Sequence, residues 1–344
     1  MKAYRMTQSN LLFGDIGGTN ARIALGYFEN SQLIIEKIKI YKSAEHKQFE
    51  DILSVFMAEY AIDAKSIMGV CFAAAGPVKQ GEVKFTNLSW NLSETKIRKH
   101  LSIPHALLLN DFAAAGYGIH TLQPNDIVTF NGPKNQPNTD MKSIIGAGTG
   151  LGMAHISYNN GQPVIHASEG GHVDFAPVGQ TQQKLFNYLK TKLHRVSVER
   201  VLSGYGIKNI YEFLRDTHYT DTADYAPLLS QITNAPANTA TMILEHSDHY
   251  AIAKHCKDVF LEIYAQAIAN LALTTLPFGG LFVAGGIAPK LKDHFNSPTF
   301  KNHLFDKGRM SGLIQEIPMH IILDTTTGLK GAGFVAHHHF QRIR

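Results

Sequence analysis

Leu11-Leu12-Phe13-Gly14-Asp15-Ile16-Gly17-Gly18-Thr19-Asn20-Ala21-Arg22-Ile23-Ala24-Leu25 runs from an apolar strand, through a glycine-bearing turn with one carboxylate at its mouth, into a second apolar strand. Such a hairpin is suited to clamp a phosphate. Glycines let backbone amides approach an anion unobstructed, and Thr19 and Asn20 add donors at the same edge. The candidate contacts are Gly14, Asp15, Ile16, Gly17, Gly18 and Thr19. Asp15 would repel a bare phosphate, so its position implies Mg2+, bound directly or through water, between carboxylate and nucleotide. The plainer alternative is a tight turn whose Asp bonds its own backbone.

Working outward, Leu33 to Ile40 alternates as a third strand, and Phe49, Ile52, Leu53 and Phe56 give residues 48–60 helical spacing. Ile67 to Ala74 is an apolar run of the kind buried on both faces of a sheet, closed by Gly76-Pro77. Ser93 is a candidate cap for a short helix to His100, and Ala106 to Leu109 makes a strand ending on Asn110-Asp111. Ligands of open α/β sheets bind at that strand edge.

The opening pattern recurs between Lys142 and Ile156, around Gly146-Ala147-Gly148-Thr149-Gly150, followed by the hairpin tip Asn159-Asn160-Gly161. The chain therefore reads as internally duplicated. A dinucleotide fingerprint from Gly146 would need glycine where Leu151 stands, and no GxxxxGK[ST] loop occurs. Residues 181–270 are mostly helical in pattern, interrupted around Ala235-Pro236-Ala237-Asn238. Leu281 to Ala284 is a strand running into Gly285-Gly286, Ile317 to Leu323 a last strand, and Leu329 to Phe340 a last helix.

A chain of 344 residues, 44% of them hydrophobic, can bury two cores. Lys and Arg number 32 against 28 Asp and Glu, scattered rather than striped, which argues against nucleic acid as a partner. Cys71 and Cys256 stand far apart, outside any CxxC spacing, as expected of buried thiols in a reducing cytoplasm. No apolar stretch approaches the roughly 20 residues that span a bilayer, and no signal-peptide pattern opens the chain, so neither membrane nor secretion is expected.

GDIGGTNARIAL, the GAGTG turn, EGGHVDFAP, SVERVLSG and the later AGGI resemble the ATP-binding hexokinase, actin and heat-shock-70 superfold, and within it the bacterial glucokinases. The resemblance runs from Leu11 to about Gly333. It implies an α/β protein of two ribonuclease-H-like lobes, residues 1–121 with 324–344 and residues 122–323, with the active site in the cleft between them. It further implies ATP and D-glucose as substrates, Mg2+ as cofactor and a homodimer. The cysteine-rich zinc motif of the related ROK group has no counterpart, because no cysteine occurs between Cys71 and Cys256.

Phosphoryl transfer to a sugar hydroxyl needs a base for its proton and phosphates held in line. Asp111, at a strand end, fits the base; alternatively it only caps the following helix. The family places its catalytic aspartate at this pair, with Asn110 orienting the sugar. In Glu169-Gly170-Gly171-His172 two glycines allow both polar side chains to approach one ligand, and hexose hydroxyls suit carboxylate and imidazole. By resemblance Glu169, His172 and Glu199 line the glucose site, with Thr86 and Asn87 at its rim. Gly146, Gly148, Thr149 and Gly150 then hold the phosphate chain, and Gly285 and Gly286 border the adenosine. The competing readings are a core histidine at 172 and a Glu199 paired to Arg200 or Arg195.

Outside that constellation, His337-His338-His339 are expected on a solvated helix face. His246, His249, His255 and Cys256 are expected on different faces of one helix, where they could not share a metal. The rival functions are a kinase for fructose, mannose or an amino sugar on the same fold, and a non-catalytic ATP- or sugar-binding regulator.

Overall fold

The computed structural model describes residues 10–85, 88, 90–132 and 140–341. Thr86 and Asn87 lie outside the described residues. The chain divides into two compact units, one running up to Pro124 and resuming at Asp324, the other spanning Asn125–Leu323.

The first unit contains β1 (Asn10–Ile16), β2 (Asn20–Glu29), β3 (Gln32–Lys42), α1 (Phe49–Glu59), β4 (Ile67–Ala74), β5 (Glu82–Lys84), β6 (Asn91–Ser93), α2 (Glu94–Leu101), β7 (Leu107–Asn110) and α3 (Asp111–Gly118). Its main sheet has the order β3-β2-β1-β4-β7. The β1–β2–β3 meander is antiparallel, and β4 and β7 continue parallel to β1. Period-two alternation sends Leu12, Ile16 and Phe72 to one face, against Phe49, Ile52 and Phe56 of α1 and Ile97 of α2. Leu11, Phe13 and Cys71 go to the other face, against Ala114 of α3 and the C-terminal segment of the chain.

The second unit contains β8 (Ile127–Asn131), β9 (Lys142–Ala147), β10 (Leu151–Asn159), β11 (Gln162–Ser168), α4 (Gly179–Lys190), α5 (Gly204–Thr217), α6 (Ala226–Asn234), α7 (Thr239–Glu245), α8 (Ala251–Thr275), β12 (Leu281–Ala284), α9 (Pro298–Phe305), α10 (Ser311–Glu316) and β13 (Met319–Ile322). Its sheet order is β11-β10-β9-β12-β13-β8. Apart from the added edge strand β8, this repeats the first sheet, with an antiparallel meander of three followed by two parallel strands. The duplication visible in the glycine turns therefore extends to the topology. Helix α8 is buried along most of its 25 residues, and most of the buried ones are Ala, Ile, Leu, Val and Phe.

The last helix, α11 (Thr327–Gln341), packs on β1, β4 and α3 of the first unit. Contact with α3 is close because glycines replace side chains: a Cβ on Gly331 would lie 1.8 Å from the Ala114 carbonyl oxygen, and one on Gly118 2.0 Å from that of Thr327. The histidine run on α11 does not form the solvated face expected of it. His337 stacks on Phe28 at 4.3 Å and His338 packs on Phe334 at 4.2 Å, while His339 is exposed. The expected single helix carrying His246, His249, His255 and Cys256 is also corrected. It ends at His246, the cap of α7, and only His255 and Cys256 belong to α8.

Candidate active site

In the first unit, β1, β4 and β7 are parallel, so their C-terminal ends share one edge of the sheet. That edge carries the Gly17–Asn20 turn after β1, Gly76 after β4 and Asn110-Asp111 at the end of β7. Since β7 is two strands from β1, Asp111 lies about 10 Å across the edge from the turn. Asn110, not Asp111, caps α3: its Oδ1 accepts from the Phe112 and Ala113 amides at 3.0 and 3.2 Å, and its Nδ2 donates to the Gly76 carbonyl at 3.2 Å. The second Nδ2 hydrogen of Asn110 has no acceptor among the described residues. Asp111 is the first residue of α3, and its Oδ1 accepts from the Phe112 amide at 2.8 Å.

Not every glycine of the hairpin faces outward. Gly14 lies inside β1, where a Cβ would meet the Arg22 carbonyl oxygen at 2.7 Å and the Phe72 ring at 2.9 Å. Close strand packing therefore requires glycine at this position. Ile16 is likewise a strand residue with a fully buried side chain. The Gly17 amide closes the turn onto the Asn20 carbonyl at 2.8 Å, and Ser43 Oγ braces it by donating to the Gly17 carbonyl at 3.0 Å. The amides of Gly18 and Thr19 make no hydrogen bond among the described residues, and a Cβ on Gly18 would meet open space. Asp15 pairs across the hairpin with Arg22. Burial raises its carboxyl above the ordinary value, and the Arg22 charge only partly opposes this.

In the second unit, β9 ends in the matching turn, closed by the Gly148 amide on the Gly150 carbonyl at 2.9 Å. Counted from the strand ends, Gly146 takes the place of Asp15, so the second hairpin brings no carboxylate. Gly146 is buried within the β9 ladder. The amides of Thr149 and Gly150 make no hydrogen bond among the described residues. Gly285 follows the parallel strand β12 at the same edge. Its φ of +87° and the 2.3 Å approach of a Cβ to the Ala147 carbonyl oxygen both demand glycine, whereas Gly286 borders open space.

Leu151, the first residue after this turn, links the remaining candidates through its backbone. Its amide donates to Glu199 Oε2 at 2.9 Å, and a Cβ on Gly171 would lie 2.1 Å from its carbonyl oxygen. The turn, the Glu169–His172 segment and Glu199 are thereby held together. Glu199 pairs with neither neighbouring arginine; Arg195 instead bonds Asp174 at 2.6 Å. His172 is no core residue: its side chain is 57% exposed, that of Glu169 77%, and Nε2 lies 3.8 Å from Glu169 Oε2. Ser43 and the Leu151 backbone are the participants that the motifs missed. Ser43 is 26 residues from the glycine it braces, and a backbone role leaves no side-chain signature.

A family model described as Glucokinase matches residues 12–339. The chain belongs to the glucokinase family. A glucokinase of Nostoc punctiforme is 39% identical over 342 residues, covering 95% of this chain and 98% of that one. The crystal structure of a glucokinase from an Antarctic psychrotroph superposes with a TM-score of 0.80 at 28% identity, covering 96% of this chain and 99% of the other. A ROK family glucokinase from Streptomyces griseus, solved in complex with glucose and AMPPNP, shares the fold with a TM-score of 0.63 at 19% identity, covering 95% and 99%. The duplicated sheets are thus the glucokinase form of the hexokinase-like ATPase fold.

Proposed function

We propose that this member of the glucokinase family transfers the terminal phosphoryl group of ATP to the 6-hydroxyl of D-glucose, yielding ADP and glucose 6-phosphate. The observation that carries the reading is the strand edge shared by Asp111 and the β1 turn, a base and an anion cradle on one rigid sheet. Asp111 accepts the proton of the hydroxyl as that oxygen forms its bond to the γ-phosphorus and the bond to the ADP oxygen breaks. Glu169, His172 and Glu199 hold the ring hydroxyls, and the remaining Nδ2 hydrogen of Asn110 orients the sugar. A site that pairs each hydroxyl rejects analogues leaving its polar groups unmatched.

Gly17, Gly18 and Thr19, with Gly148, Thr149 and Gly150, cradle the phosphates, and Gly285 and Gly286 border the adenosine. The residues present fit Mg2+: Asp15 is an oxygen donor whose buried charge is incompletely neutralised by Arg22. Bound there through water, the ion would neutralise charge on the phosphates. The proposed working form is a cytoplasmic homodimer, as the family resemblance suggests; sedimentation at monomer mass would overturn the dimer. No described helix is long and apolar enough to cross a membrane.

Asp111→Ala tests the base. Turnover should fall by roughly 10²–10⁴-fold, while glucose binding remains measurable by calorimetry. Near-normal turnover in this variant would remove Asp111 from the chemistry. A coupled assay over glucose, fructose, mannose and glucosamine fixes the acceptor, with glucose expected to give the highest kcat/KM.

A further inference from the structure

The second unit contains a cavity of about 250 Å3 whose lining includes Gly170 and Val198, chain neighbours of Glu169 and Glu199, but none of Glu169, His172 and Glu199 themselves. It lies where the β10–β11 edge of the sheet meets α8, and its walls include Met153, Phe175 and Ile263. Gln266, 8% exposed, lines it, and its side-chain amide has no hydrogen-bond partner among the described residues. Asn270, one helical turn further along α8, adds a second amide on the same face, nearer the mouth.

We infer that this cavity is a second binding site, separate from Glu169, His172 and Glu199, for one uncharged hydroxylated molecule of monosaccharide size. Its volume falls below the roughly 300–1,000 Å3 of sites for drug-sized ligands. The charge of the walls selects a neutral ligand. No lysine or arginine lines them, and the one carboxylate, Asp174, is already paired with Arg195. Burial and the neighbouring His166 hold His155 below its ordinary value, so that imidazole is neutral near pH 7. Apolar walls suit the C–H face of a sugar ring, and the Gln266 amide supplies both a donor and an acceptor for adjacent hydroxyls. Phosphorylated sugars are excluded, because nothing in the walls would compensate their charge.

Equilibrium dialysis of radiolabelled D-glucose against the full chain tests this. Two molecules per chain are expected at saturation. Gln266→Leu should hold one and keep its turnover, while Glu169→Ala should lose the other equivalent and retain the one that depends on Gln266. Ala267→Phe, which adds a ring at the cavity wall while leaving the Gln266 amide in the chain, should also hold one, and covers the case in which Gln266→Leu folds poorly. One molecule per chain in the parent, or two in both cavity variants, overturns the inference. Turnover assayed in parallel keeps the two readings apart: a chain that phosphorylates no sugar yet binds glucose through Gln266 would refute the kinase and leave the cavity site standing.

Discussion

Burial raises the Asp15 carboxyl, so its ionised form destabilises the ligand-free fold. A group with a raised folded-state value contributes stability that is complete below the unfolded value, about 3.9, and lost as pH climbs through the folded one. Asp15→Asn should therefore melt above the parent at pH 7, with the difference closing below about pH 4, in calorimetric scans without nucleotide. The same variant should bind magnesium nucleotide more weakly at pH 7, since the anion that attracts the ion is gone. The neighbouring pair on β7 separates capping from chemistry. Asn110→Ala removes the acceptor of two α3 amides and should cost about 1 kcal/mol in urea unfolding. A loss below a few tenths would show that Asn110 does not cap the helix. That one of the two polar residues ends a strand was legible in the chain, but which one caps was not, because either type caps well and the choice depends on where β7 stops.

At the scale of elements, β8 was missed and β13 found. β13 falls within the strand read from Ile317 to Leu323, but the five residues of β8 have little alternation, and they pair with β13 some 190 positions away. His320 of β13 accepts or donates a hydrogen bond with Thr129 of β8 at 2.9 Å and is held down to about 4, first by burial and then by the charge of Lys142. A depressed histidine is neutral in the folded state, so its stabilising contribution is present above its unfolded value of about 6.5 and disappears as pH falls toward 4. Acid should weaken the second unit over this window by up to about 3 kcal/mol, and His320→Gln should flatten that part of the denaturation profile. An unchanged profile would mean that His320 titrates normally. The histidines of α11 show the same limit of sequence reading. Polarity suggested solvent, but the aromatic rings of Phe28 and Phe334 make His337 and His338 packing surfaces.

At the scale of the whole chain, one sheet order occurs twice, and the C-terminal segment completes the first copy. Leu329, Ala332 and Ala336 of α11 are fully buried against the β1 and β4 face, in one core with Leu11, Phe13 and Cys71. Exposing that face would remove burial worth about 1.5–3 kcal/mol for each large side chain, against a total domain stability of roughly 5–15 kcal/mol. A chain ending at Leu323 should therefore lose amide protection across the first unit in hydrogen exchange, while Asn125–Leu323 stays protected. Protection of β1 and β4 in that truncated chain would show that the first sheet folds without α11.

The sequence alone determined the repeated strand–glycine turn–strand pattern, the strand-end polar pair and the Glu169–His172 segment, because period-two apolar alternation and glycine spacing are local properties that survive without a partner. Only the tertiary structure decided that Gly14 sits where a side chain would clash, that Ser43 braces the first turn, and that the Leu151 backbone joins Glu199 to Gly171. Each depends on how closely two segments distant in the chain approach, a distance set by packing around a shared core and carried by no single stretch of residues.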